Sequence, residues 1–133
     1  MKTLDREDCA WQFASVAGQP IGEPITEKLL HFRLHLIKEE LAEVEEASDA
    51  LLYEHMCGRG MTKAARADFL KELCDLQYVL SGLLVATGLD DVFDEAFKRV
   101  HESNMSKFPA IFNDAGKVMK GLNYKPPNLE DLV

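Results

Sequence analysis

The sequence predicts an all-α protein, a four-helix bundle-like fold with an irregular C-terminal tail. Three observations carry that expectation. Apolar residues recur at alternating steps of three and four along two long segments, the spacing of one face of an α-helix. Glycines and prolines cluster between the periodic segments. No stretch shows the apolar–polar alternation of a half-buried strand.

The elements follow in order. A first helix runs from about Asp5 to Ala17, with Thr3 near its start and Gly18 just past its end. Gln19-Pro20-Ile21-Gly22-Glu23-Pro24 is a loop, since two prolines and a glycine cannot continue a helix. Thr26 is a good N-cap for a long second helix, whose apolar seam is Leu30, Leu34, Ile37, Leu41, Val44 and Leu51, broken only by Ser48. Gly58 and Gly60 end it. Thr62 caps a third helix with the seam Phe69, Leu73, Leu76, Leu80 and Leu83, and Gly88 stops it. Asp90 or Asp91 caps a fourth, with Phe93, Phe97 and Val100 facing inward. From about Asn104 the chain is rich in Ser, Asn, Gly and Pro. Helices two and three are expected to form the long antiparallel pair.

At 133 residues the chain fits a single domain, 1–133, long enough for a core without staples. The net charge of −8 argues against a nucleic acid polymer held on a general basic surface. Cys9, Cys57 and Cys74 are odd in number and far apart, so a disulfide framework is not expected and a reducing cytoplasm is the simplest home. No apolar run reaches the roughly 18 residues of a membrane span, and MKTLDREDCA has no signal-peptide pattern.

The charge is uneven. Residues 39–58 hold Glu39, Glu40, Glu43, Glu45, Glu46, Asp49 and Glu54 with no Lys or Arg, whereas residues 98–125 are locally basic. Leu36, Glu40, Glu43 and Ala47 form a stripe beside the second helix's seam; Asp68, Glu72, Asp75 and Val79 do the same on the third. If these helices pack side by side, the carboxylates converge. Without a cation that is unfavourable, because like charges repel and desolvation penalises the ionised form. Mg²⁺ cancels the penalty, taking oxygen ligands and sharing its shell with substrate phosphates. The competing reading is a solvated acidic face.

At these residues the sequence resembles a known superfamily. Glu39-Glu40-Leu41-Ala42-Glu43 followed by Glu72-Leu73-Cys74-Asp75 is similar to the EExxE…ExxD signature of the MazG-like all-α nucleoside triphosphate pyrophosphohydrolases, which include dimeric dUTPases and phosphoribosyl-ATP pyrophosphohydrolase. Ser103-Asn104-Met105-Ser106-Lys107 and Gly116-Lys117-Val118-Met119-Lys120-Gly121 also resemble MazG-like members. The resemblance implies that Glu40, Glu43, Glu72 and Asp75 hold Mg²⁺, with Mn²⁺ able to substitute, and that Glu39 orients or deprotonates a water. That water attacks the α-phosphorus of a nucleotide, releasing a monophosphate and pyrophosphate. The first substrate to try is dUTP; the alternative is phosphoribosyl-ATP. A rival from another class is a non-catalytic helical partner protein. The resemblance also implies a homo-oligomer, a dimer or tetramer.

Lys107, Lys117 and Lys120 are phosphate-binding candidates, and Asn104 and Tyr124 can hydrogen-bond phosphate or sugar, against the bland reading of a solvated basic tail. Trp11 and Gln12 offer the aromatic face and amide that a base needs, against a plain core aromatic. His31, His35 and His101 read as residues that cap or decorate helices. Leu29, Phe32, Leu52, Leu70 and Leu84 lie off the seams and widen the apolar surface, as an interface would.

Overall fold

Four helices carry the fold, as the periodicity predicts: α1 (Arg6–Ala17), α2 (Glu27–Met56), α3 (Lys63–Thr87) and α4 (Asp90–Met105). The computed structural model describes residues 4–133, so Thr3 lies outside the described residues. Contacts divide the chain into two compact units, one ending at Gly88 and the other spanning Leu89–Val133.

In the first unit the helix ends are set by local chemistry. The Asp5 side chain accepts from the Asp8 amide, and Gly18 closes α1 in the left-handed region at φ 69°. Thr26 and Thr62 cap α2 and α3, accepting from the amides of Leu29 and Ala65; a cap of this kind contributes about 1 kcal/mol. Thr62 also donates both its amide (3.2 Å) and its hydroxyl (2.8 Å) to Glu54 Oε2, which ties the end of α2 to the start of α3. That pair of hydrogen bonds holds the Glu54 carboxyl below its ordinary pKa.

Arg33 lies against Gly82, Glu43 against Glu72, and Glu54 against Thr62, an antiparallel register. The contact line therefore runs through Leu36, Glu40, Glu43 and Ala47, the stripe the sequence places beside the seam, and continues to Arg33 one turn earlier. Leu34 and Leu41 on α2, with Leu73 and Leu80 on α3, remain 40–44% exposed. Gly82 on α3 leaves room for the Arg33 side chain, and the rest of the seams is less exposed: Leu51 is buried and Leu30, Ile37, Val44, Leu76 and Leu83 are half-buried.

The packed centre of this unit is Ala10, Ala14 and Val85, joined by Ile21. Small side chains on α1 bring it close to α3, where Tyr78 Oη donates to Cys9 O at 3.3 Å and the Phe13 ring meets Tyr78 edge-on at 5.8 Å. The proline loop docks on the end of α3, with the amides of Gly22 and Glu23 donating to Val85 O and Ala86 O at 2.9 Å.

In the second unit, neither Asp90 nor Asp91 is the cap of α4. The N-cap position is Leu89, without a side-chain hydrogen bond, and both aspartates sit inside the first turn, where the helix dipole favours acids. Phe97 is 63% exposed rather than inward-facing, although its ring lies 6.0 Å from that of Phe93. Arg99 bonds Glu95 one turn away and Asp131 near the C-terminus, at 3.0 and 2.6 Å, and Ser103 Oγ donates to Lys125 O at 2.7 Å. The tail holds a short antiparallel hairpin, β1 (Ile111–Phe112) with β2 (Val118–Met119), that sequence reading missed. Strands of two residues are too short to show alternation. Their turn is built by Asn113, whose Oδ1 accepts from the amides of Ala115 and Lys117, and by Gly116 at φ 81°. Gly121 packs against the carbonyls of Lys107 and Pro109 so closely that a Cβ has no room. Among the described residues no single helix is long and apolar enough to cross a membrane.

Candidate active site

The antiparallel register brings two acids from α2 and two from α3 to one place. Glu40, Glu43, Glu72 and Asp75 each offer a carboxylate oxygen, and the four oxygens lie within 4.8 Å of one another. Spacing of three along each helix puts each pair on one face; the α2–α3 contact then joins the two faces.

The electrostatics of the cluster are unbalanced. Glu40 Oε2 and Glu72 Oε2 are buried and have no hydrogen-bond partner among the described residues. Desolvation, followed by the effect of the neighbouring Glu43 carboxyl, pushes Glu72 above the ordinary carboxylate range. One cation opposes this. The Lys71 ammonium lies 2.7 Å from Asp75 Oδ2 and 3.4 Å from Glu72 Oε1, and those contacts hold its pKa well above its usual value. A single exposed ammonium cannot neutralise four carboxylates. Hard oxygen donors, two of them buried and unsatisfied, are the donor set a hard divalent cation takes.

Glu39, one residue before Glu40, stands outside the cluster. It is exposed, and its Oε1 lies 2.8 Å from His35 Nε2, one turn earlier on α2. The sequence reading gave His35 no such partner, although the i,i+4 spacing allows it.

The other candidates fall in several places. Trp11 and Gln12 are exposed on α1. Asn104, Lys107, Lys120 and Tyr124 belong to the second unit. There the Lys120 ammonium lies over the Tyr124 ring at 4.9 Å, Lys107 and Tyr124 are half-buried, and Asn104 and Lys117 are exposed.

Two residues near the cluster escaped sequence reading, Lys71 and Arg33, and Glu54 was legible only as part of the acidic run. Lys71 was legible as the i−4 neighbour of Asp75. Arg33 shares the three-and-four spacing of Leu36, Glu40 and Glu43, which marks it as a residue of the contact line. It is 4% exposed, and burial pulls its pKa below the ordinary value.

No curated protein matches the chain. A family model described as phosphoribosyl-ATP pyrophosphohydrolase matches residues 13–104, a span that contains Glu39, the four clustered carboxylates and Asn104, and ends before Lys107.

Proposed function

The chain belongs to the phosphoribosyl-ATP pyrophosphohydrolase family, a group of hydrolases acting on phosphoanhydride bonds, and from that premise we propose that it cuts the α–β bond of a nucleotide triphosphate at the Glu40, Glu43, Glu72, Asp75 cluster. The family match puts phosphoribosyl-ATP ahead of dUTP as the substrate and leaves no support for a non-catalytic partner protein.

The observation that carries the reading is the pair of buried, partnerless oxygens on Glu40 and Glu72 within the four-carboxylate cluster. Glu40, Glu43, Glu72 and Asp75 would hold Mg²⁺, or Mn²⁺ in its place. A divalent cation there supplies neutralisation of a triphosphate and acidification of water. Glu39, exposed beside the cluster, takes the proton of the attacking water. The water oxygen bonds to the α-phosphorus, the α–β bond breaks, and pyrophosphate leaves. His35, at 2.8 Å, fixes the Glu39 carboxylate. Asn104, Lys107, Lys120 and Tyr124 remain candidates for the phosphates and sugar, and Trp11 and Gln12 for the base, on sequence grounds alone.

The apolar surface left open on α2 and α3 supports a homo-oligomer, with a dimer as the simplest assembly. Three free thiols suit a reducing cytoplasm.

The test is to incubate the protein and Mg²⁺ with phosphoribosyl-ATP, dUTP and the common nucleoside triphosphates, and to quantify pyrophosphate and monophosphate. Stoichiometric release of both from at least one supports the reading. Release of single phosphates, or no turnover of any of them, overturns it.

A further inference from the structure

Arg33 is a buried charge short of partners. Its Nη2 donates to Gln19 Oε1 at 3.3 Å, its Nε has no partner, and no carboxylate among the described residues pairs with it. Burying an unpaired guanidinium is costly, so a fold that keeps one there has a use for its donors. The opposite helix makes room for it: a Cβ on Gly82 would sit 2.9 Å from Arg33 Nη1. The Phe32 ring lies 5.5 Å from the guanidinium carbon and covers it on one side.

The guanidinium lines a cavity of about 450 Å³, whose wall also includes Phe13, Gln19, Tyr78 and Asp75. Asp75 belongs to the carboxylate cluster as well, so cavity and cluster share a wall. Gln19 Oε1 is engaged by Arg33, which leaves the Gln19 amide nitrogen as its free group. Beside Arg33 the cavity offers an occupant the guanidinium and the Gln19 amide nitrogen as donors, set among aromatic and aliphatic walls, with the acceptors Asp75 and Tyr78 elsewhere in its lining. Such walls suit a planar ring. Donors alone select an acceptor, because facing a second donor leaves both groups unpaired.

We infer that Arg33 determines the specificity of the proposed hydrolase, an inference that rests on that reading: it receives an oxygen acceptor at the end of the nucleotide remote from the triphosphate. Two sources supply that oxygen, a carbonyl of the base, as in dUTP, or the phosphate of the ribosyl group that phosphoribosyl-ATP carries on its adenine. ATP supplies neither oxygen: the adenine acceptors N1 and N7 each stand beside the amino group, a donor that the donors of the site leave unpaired. The device thus favours nucleotides with a distal oxygen over the far commoner ATP.

The experiment compares wild type, Arg33→Met, Arg33→Lys and Gly82→Ala, each with a thermal melt and with KM and kcat for phosphoribosyl-ATP, dUTP and ATP in Mg²⁺. For wild type we expect kcat/KM at least tenfold higher for one or both of the first two than for ATP. Arg33→Met raises KM for that favoured substrate at least tenfold, with kcat less affected and ATP unchanged, and Arg33→Lys restores part of the loss. Whichever substrate shows the effect identifies the oxygen as carbonyl or phosphate. Gly82→Ala guards against a folding artefact: it keeps the Arg33 side chain, its melt and circular dichroism report whether it is folded, and its Cβ, 2.9 Å from Nη1, shifts the guanidinium and raises KM. If both Arg33→Met and Gly82→Ala are folded and keep the wild-type preference, the inference is overturned while the hydrolase reading stands. If wild type turns over none of the three, that reading fails, and calorimetry with dUMP and AMP decides the inference: Arg33-dependent binding of dUMP over AMP supports it, and equal or absent binding overturns it.

Discussion

Glu43 on α2 and Glu72 on α3 meet across the helix pair, their carboxylate oxygens within 4.8 Å of each other. Desolvation, and after it the neighbouring Glu43 carboxyl, raises the Glu72 pKa from 4.5. The destabilisation from ionising Glu72 is absent below that ordinary value and grows as pH rises through the raised one. At neutral pH a divalent cation relieves it. The metal-stripped protein therefore melts lower than the protein in millimolar Mg²⁺ or Mn²⁺; binding to the native state alone adds about 2.7 kcal/mol at a hundred times Kd. Glu72→Gln melts higher than wild type in EDTA and loses the response to metal. A wild-type melting curve indifferent to millimolar metal counts against the site.

Glu39 separates from the cluster both in position and in its partner, His35. Glu39→Gln is expected to lower turnover by roughly 10²–10⁴, the range of a positioned general base, while keeping the thermal response to Mg²⁺. Asp75→Asn is expected to lose that response along with turnover. Near wild-type turnover in Glu39→Gln shows that some other group takes the proton.

The clamp between Glu54 and Thr62 gives a pH signature of the opposite sign. Hydrogen bonds from Thr62 lower the Glu54 pKa below 4.5, so its stabilisation is present above that value and is lost as pH falls through the depressed one. Glu54→Gln melts a few degrees below wild type at pH 7, and the gap closes once the pH drops well under 4.5. A gap that persists unchanged into strong acid shows that shape, not charge, holds the α2–α3 turn.

Helix periodicity, Thr26, Thr62 and the stop glycines made α1 to α3 legible, because caps and the 3.6-residue repeat act locally. The acid pairs were legible for the same reason: spacing of three fixes a face whatever the neighbour. Which face α2 turns toward α3 was not, since that choice rests on Gly82 and Arg33, a long-range fit between one missing side chain and one buried charge. The hairpin in the tail depends on Asn113 and Gly116, whose turn chemistry outweighs strands too short to register.

The exposed part of the leucine seams carries the last prediction. Once the polar stripe forms the α2–α3 contact, Leu34, Leu41, Leu73 and Leu80 stay 40–44% exposed, and Phe32, Leu52 and Leu70 join them, while Leu29 and Leu84, grouped with those three by sequence, are buried instead. Apolar surface of this extent on two long helices is stabilised by a partner, and a second copy offers the same self-complementary face under twofold symmetry. Light scattering at micromolar concentration should then give a mass above the 15.0 kDa of one chain. Leu34→Lys combined with Leu41→Lys places two charges where interface cores exclude them, and should bring the mass down to one chain while leaving the helical circular dichroism unchanged. A wild-type species of one chain's mass sinks the oligomer outright. A double variant that keeps the wild-type mass moves the interface to another face.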